Sequence, residues 1–105
     1  MKDIELEFYV LKLISESPNI SQRQLASELG ISLGKTNYLV RALIDVGSIK
    51  LKNFRRSDNK LSYLYLITPE GIRRKATVLR LFFEQKTLEY NNLKLELEKL
   101  DSDLK

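Results

Sequence analysis

Ser21-Gln-Arg-Gln-Leu-Ala-Ser-Glu-Leu-Gly-Ile-Ser32, followed at once by Leu33-Gly-Lys-Thr-Asn-Tyr-Leu-Val-Arg-Ala-Leu-Ile-Asp45, is the stretch on which the fold of this chain turns. Ser21 stands three residues before Gln24, the spacing of a capping box. The serine hydroxyl accepts from the backbone N–H of Gln24 while the glutamine side chain returns to the N–H of Ser21. Leu25, Ala26 and Leu29 then form one apolar stripe at helical spacing. Gly30 can take positive φ at the helix end, so the chain turns sharply through Gly30-Ile31-Ser32. Ser32 is placed to cap a second helix that closes on Asp45-Val46-Gly47. Two helices joined by so tight a turn make a helix-turn-helix.

Laid out at 3.6 residues per turn, the second helix divides by residue type. Thr36, Leu39, Val40 and Leu43 face inward, and the opposite side carries Ser32, Leu33, Gly34, Lys35, Asn37, Tyr38 and Arg41. Small, amide, basic and aromatic groups on one helix face suit base edges and phosphates. Asn37 has the amide geometry to bond an adenine edge bidentately, Arg41 can reach a guanine or a phosphate, and Gly34 lets the backbone approach closely. Ser21, Gln22 and Arg23, at the start of the preceding helix, join them as candidate DNA-binding residues. The competing reading is an ordinary solvated helix face.

Past Gly47, Ser48-Ile-Lys-Leu-Lys-Asn-Phe54 alternates apolar residues with lysines, the period-two pattern of a half-buried strand. Arg55-Arg-Ser-Asp-Asn-Lys60 is a polar, turn-rich connection, and Leu61 to Ile67 alternates well enough to be the partner strand. The hairpin is a wing, with Arg55, Arg56 and Lys60 at its tip directed to a minor groove or flanking phosphates. From Ser32 to Lys60 there are seven Lys or Arg against two acids, Asp45 and Asp58. That local excess is larger than the formal +4 of the whole chain, which favours the wing over a merely solubilising loop.

Leu25-Ala-Ser-Glu-Leu-Gly-Ile-Ser32, the helix end Ile44-Asp-Val-Gly-Ser-Ile49 and the entry Thr68-Pro69-Glu70-Gly71 resemble MarR-type winged-helix regulators. The stretch Ile31-Ser-Leu-Gly-Lys-Thr-Asn-Tyr38 is similar to a short branch of them, the EPS-associated MarR family transcriptional regulators, and the likeness runs over nearly the whole chain. It implies a bacterial DNA-binding regulator associated with exopolysaccharide gene clusters. Full-length MarR proteins are longer and dimerise through helices from both termini, framing a pocket that often binds phenolic effectors. The shorter extension here makes a large ligand cavity less expected, and no small-molecule effector is evident.

Thr68 as N-cap, Pro69 at the first helical position and Glu70 in the first turn open a third segment that has no proline or glycine after Gly71. Ile72, Ala76, Leu79, Phe83, Lys86, Tyr90, Leu93, Leu97, Leu100 and Leu104 follow at alternating spacings of four and three, a heptad seam. It predicts one long helix that pairs with a second copy as a coiled coil, since a lone helix would leave the stripe wet. The alternatives are a helix folded back on its own domain or, given a second row at Leu81, Leu88 and Leu95, a higher-order bundle. Charges leave the strand direction open: in a parallel register Glu89 meets Lys94, but Glu96 meets Asp101. Lys86 in the seam either fixes register or snorkels outward. Glu96, Glu98, Asp101 and Asp103 against Lys99 place the distal end away from DNA.

Ile4, Phe8, Leu11 and Ile14 or Ser15 mark an amphipathic first helix that ends before Ser17-Pro18-Asn19. Tyr9, Val10 and Leu13 are further apolar positions, with core and partner-subunit contact equally open. The expected fold is mainly α with a small β-hairpin: a winged helix-turn-helix over residues 1–68 and a coiled-coil dimerisation helix over 69–105. With 105 residues, 43% of them apolar, there is room for one modest core. The absence of cysteine and histidine argues against disulfides, thiol sensing and the usual zinc ligand sets, and no cofactor is expected. No apolar run reaches a membrane span and no signal-peptide pattern precedes the first helix, so a cytoplasmic chain is the expectation.

Gly34-Lys35-Thr36 looks like the end of a phosphate-binding loop, but Gly30 leaves three intervening residues where four are needed, and the segment lies between helices. Without histidine or cysteine beside a nucleophile no catalytic constellation emerges, and the chain reads as a non-enzyme. The expected function is sequence-specific binding of double-stranded DNA, palindromic in keeping with a homodimer. The rival reading is a protein-interaction scaffold oligomerised by its coiled coil, its basic face turned to acidic partners.

Overall fold

A computed structural model describes the backbone of residues 3–55, 58 and 61–105. The element order is α1 (Asp3–Glu16), α2 (Gln22–Leu29), α3 (Leu33–Asp45), β1 (Ile49–Arg55), β2 (Leu61–Ile67) and α4 (Pro69–Asp103). The helix-turn-helix, the hairpin and the long last helix therefore fall where the sequence patterns put them. No helix among the described residues is long and apolar enough to cross a membrane.

The strands pair antiparallel, Ile49 opposite Ile67, Leu51 opposite Tyr65 and Asn53 opposite Tyr63. Alternation buries Ile49 and Tyr65 at the base of this two-stranded sheet and leaves Lys50 and Lys52 exposed. Further out, Leu51 and Tyr63 are open to solvent, so the hairpin is anchored at its base and projects beyond the core.

One cluster holds the domain together: Leu6, Phe8, Val10, Leu11 and Ile14 of α1, Leu25 and Leu29 of α2, Val40 and Leu43 of α3, Ile49 and Tyr65 of the hairpin, and Val78 of α4. At roughly 1.5–3 kcal/mol for each large apolar side chain taken from water, this set drives the folding of the domain. Helix α1 is central, covered by the helix-turn-helix and hairpin on one side and by α4 on the other. Its buried residues therefore exceed the single stripe of Ile4, Phe8, Leu11 and Ile14, and Leu6 and Val10 are as deep as any. Of the three further apolar positions, Val10 is fully buried in this chain's own core, and Tyr9 and Leu13 are half-buried against the same cluster.

Neither the heptad seam nor the second row at Leu81, Leu88 and Leu95 includes the face of α4 that the structure buries. In the structure Val78 enters the core cluster and Phe82 packs on α1, its ring stacked on Phe8 at 6.1 Å and edge-on to Tyr9 at 6.1 Å. Arg74 adds a two-pronged ion pair to Glu7 of α1, and that hydrogen-bonded carboxylate raises the guanidinium pKa above its ordinary value. The seam itself, from Ile72 to Leu104, is left in solvent, and every residue from 90 to 105 is exposed. At 1.5 Å per residue the 35-residue helix is about 52 Å long, which accounts for the elongated molecule of 71 × 26 × 20 Å.

Where α4 begins, three elements meet. The Thr68 hydroxyl caps the helix by accepting from the N–H of Gly71 at 3.0 Å and lies within hydrogen-bond reach of the carbonyls of Gly47 and Ser48. The Thr68 N–H donates to Ser48 O at 3.1 Å. Gly71 sits so close to this corner that a Cβ built on it would lie 2.1 Å from the Ser48 carbonyl oxygen. Only glycine permits that approach. The end of α3, the base of the wing and the start of α4 are thereby fastened at one point.

Candidate nucleic-acid interface

The turn between α2 and α3 is built by local chemistry. Ser21 accepts from Gln24 N–H at 3.0 Å and Gln24 Oε1 accepts from Ser21 N–H at 2.8 Å, the reciprocal capping box. Gly30 takes φ 66°, and the N–H of Ile31 reaches back to Ala26 O at 3.1 Å while that of Gly30 reaches Ser27 O at 3.3 Å. This is the Schellman pattern at a helix end. Ser32 caps α3 by accepting from Lys35 N–H at 3.1 Å.

Helix α3 is then oriented by its buried side. Val40 and Leu43 enter the core, Leu39 is half-buried, and Thr36 is fully buried with its hydroxyl donating to Ser32 O at 2.9 Å. The opposite side is open along its length: Ser32, Leu33, Gly34, Lys35, Asn37, Tyr38 and Arg41 are all exposed, Tyr38 by 72%. Ser21 and Arg23 of the neighbouring helix start are exposed as well, and Gln22 is half-buried.

Charge on this side is uncompensated. Among the described residues, Arg23, Lys35, Arg41, Lys50 and Lys52 form no ion pair, as is also true of Lys75, Arg80, Lys94 and Lys99 on α4, while Lys12, Arg73, Arg74 and Lys86 each have a carboxylate partner. Free cations and exposed amides on a projecting helix, beside a projecting hairpin, form a surface with the chemistry of a polyanion-binding site. Of the wing-tip candidates, Arg55 ends β1 with its side chain outside the described residues, and Arg56 and Lys60 lie outside them altogether.

A hydrogen-bonded chain crosses the interface. Asn37 Nδ2 donates to Gln22 Oε1 at 3.1 Å, and Gln22 Nε2 donates to the Tyr65 hydroxyl at 3.2 Å. Tyr65 is in turn held by its buried ring and by its own N–H, which donates to Pro18 O at 2.9 Å. Helix α3, the start of α2 and strand β2 are thus linked through side chains. Sequence reasoning picked out Asn37 and Gln22 separately and missed Tyr65, which is 43 residues from Gln22.

Residues 5–50 match a family model described as winged helix-turn-helix DNA-binding. That model spans 46 of the 105 residues, α1 through the first residues of β1, and is what this part of the chain is similar to. No curated protein sequence matches the chain. Solved structures share its fold, among them a PadR-like transcriptional regulator from Bacillus cereus at 20% identity, covering 84% of this chain and 90% of that one with a TM-score of 0.72. MepR, a transcription regulator of the Staphylococcus aureus multidrug efflux pump MepA, is similar at 18% identity over 95% of this chain and 78% of its own, TM-score 0.58. A Mycobacterium tuberculosis MarR family protein in complex with p-aminosalicylic acid is similar at 24% identity over 90% and 76%, TM-score 0.56. The winged helix-turn-helix with a long C-terminal helix seen here is therefore a fold that these solved structures share.

Proposed function

We propose that this chain is a homodimeric transcription regulator that binds double-stranded DNA, reading sequence with α3 and gripping the backbone with the wing. The observation that carries the proposal is the division of α3: one side sealed in the core, the other presenting exposed Asn37 and, without ion-pair partners, Lys35 and Arg41 on a fold shared with transcription regulators. Asn37 and Arg41 are the proposed base readers, with Ser21, Arg23, Ser32 and Lys35 at helix starts suited to phosphates. Arg55, Arg56 and Lys60 are proposed to reach the flanking backbone from the wing.

The α4 seam supports pairing with a second copy. A two-fold dimer of recognition helices predicts a palindromic site with half-sites about one helical turn apart. The resemblance of Ile31–Tyr38 to the EPS-associated branch extends the proposal to cytoplasmic control of exopolysaccharide-associated genes.

The test is fluorescence anisotropy with duplexes selected from genomic DNA, including DNA upstream of the chain's own gene, at two salt concentrations alongside random-sequence controls. Expected is selective binding with a palindromic footprint that weakens steeply with salt as counterions compete for phosphates. Equal or absent binding to all duplexes would replace this reading with the protein-interaction scaffold.

A further inference from the structure

Exposed asparagines on a helix sample several rotamers, and an amide that reads a base edge must give up that freedom on binding. Asn37 is not free in this way: one of its two N–H groups is engaged by Gln22 Oε1, and Gln22 is anchored through its own amide nitrogen to the hydroxyl of Tyr65. Tyr65 is only 8% exposed, and its backbone is tied to Pro18. The arrangement leaves Asn37 with one N–H and its Oδ1 for a ligand, one donor beside one acceptor. That pair is complementary to N7 and the N6 amino group of adenine in the major groove.

We propose that Gln22 and Tyr65 are positioning residues that hold the Asn37 amide for adenine readout, so that a residue of the wing strand sets base discrimination on the recognition helix. This rests on the DNA-binding reading above and adds to it a route through which wing and base recognition communicate. By position Gln22 is a candidate DNA contact, but both ends of its amide are engaged within the protein. Its effect on DNA therefore passes through Asn37. Because Tyr65 sits on β2 opposite Leu51, engagement of the wing on a backbone acts on the same strand that anchors the relay.

The experiment first defines the preferred duplex by selecting from a random-sequence pool with the unaltered protein, then measures affinity for that duplex and for each single base-pair change. Tyr65→Phe removes one hydroxyl and keeps the buried ring. It should lower discrimination at the one base pair read by Asn37 by about 2- to 10-fold, the range of a single lost hydrogen bond, with other positions and random duplex within about twofold. Gln22→Leu should lose more at that same pair. Gln22→Glu can still accept from both Asn37 and the tyrosine hydroxyl, so it should restore discrimination there while its negative charge weakens every duplex alike.

In an Asn37→Ala background, Tyr65→Phe should have no further effect, the signature of two residues acting through one contact. If Tyr65→Phe and Gln22→Leu discriminate like the unaltered protein, or lose affinity equally at all positions, the positioning role is overturned while DNA binding stands. If the unaltered protein selects no duplex at all, it is the DNA-binding reading that fails.

Discussion

The outer side of α3 and the seam of α4 are both open to solvent, yet their chemistry is opposite. On α3 the exposed groups are cationic Lys35 and Arg41, the amide of Asn37, and Leu33 and Tyr38 beside them. On α4 they are Phe83, Tyr90, Leu93, Leu97, Leu100 and Leu104, each more than half exposed. A run of that length is the kind of patch that marks an interaction surface, whereas scattered apolar residues would need no explanation. The contrast teaches that exposure has two meanings in one small chain. In the proposed function the first surface takes a ligand of opposite charge and the second takes a further copy of this chain.

The largest effect is expected from breaking the second surface alone. Residues 90–105 make no buried contact in their own chain, so Leu93→Asp with Leu97→Asp should leave the winged domain folded. In a dimer the four altered side chains forfeit on the order of 6 kcal/mol of burial, enough to abolish association at micromolar concentration. Sedimentation velocity reads the outcome, and a double variant that still sediments as a dimer would place the interface elsewhere.

Next comes the joint between the two surfaces. Gly71→Ala puts a methyl 2.1 Å from the Ser48 carbonyl oxygen and 2.7 Å from Ile67 Cγ1. Backbone cannot rotate away as a flexible side chain can, so α4 must shift, at a cost of about 3 kcal/mol in urea unfolding. Because the same corner fixes the end of α3, this variant should disturb DNA binding and assembly together, where other substitutions disturb one. A loss below about 1 kcal/mol would mean that the corner yields and the two surfaces are not rigidly joined.

Sharpening the first surface requires a smaller change. As a base reader, Asn37→Ala should cost about 1 to 3 kcal/mol at one base pair and little on random DNA. An equal loss on both would reassign Asn37 to the backbone.

How much of this was legible beforehand depends on whether the causes were local. Caps, the Gly30 turn, the strand alternation around Ile49 and the Thr68-Pro69 helix start are dictated by residues within a few positions of each other, and each element formed where those residues place it. What escaped was set by packing at a distance. Leu6 is buried because α1 is covered from two sides, which a search for one amphipathic stripe does not anticipate, and the same cover buries Val10, whose pattern leaves core and partner contact equally open. Val78 and Phe82 escaped for the complementary reason, since the stronger heptad signal beside them drew attention to the face of α4 that stays wet. The Asn37–Gln22–Tyr65 relay spans three elements and has no counterpart in any spacing rule.

The smallest effect concerns the wing, and it separates two ways in which a cationic surface can act. Arg55→Ala or Arg56→Ala removes one charge from the hairpin connection without touching α3. If these arginines meet phosphates, each substitution should weaken selected and random duplexes by the same modest factor and make the dependence of log affinity on log salt shallower by about 1, one counterion fewer released per contact. Discrimination between base pairs should stay as it was. A salt slope that does not move would show that the wing arginines face water and that the backbone grip belongs to Lys35 and the helix starts. A change confined to one base pair would instead make the wing a reader of sequence, erasing the division of labour between hairpin and recognition helix.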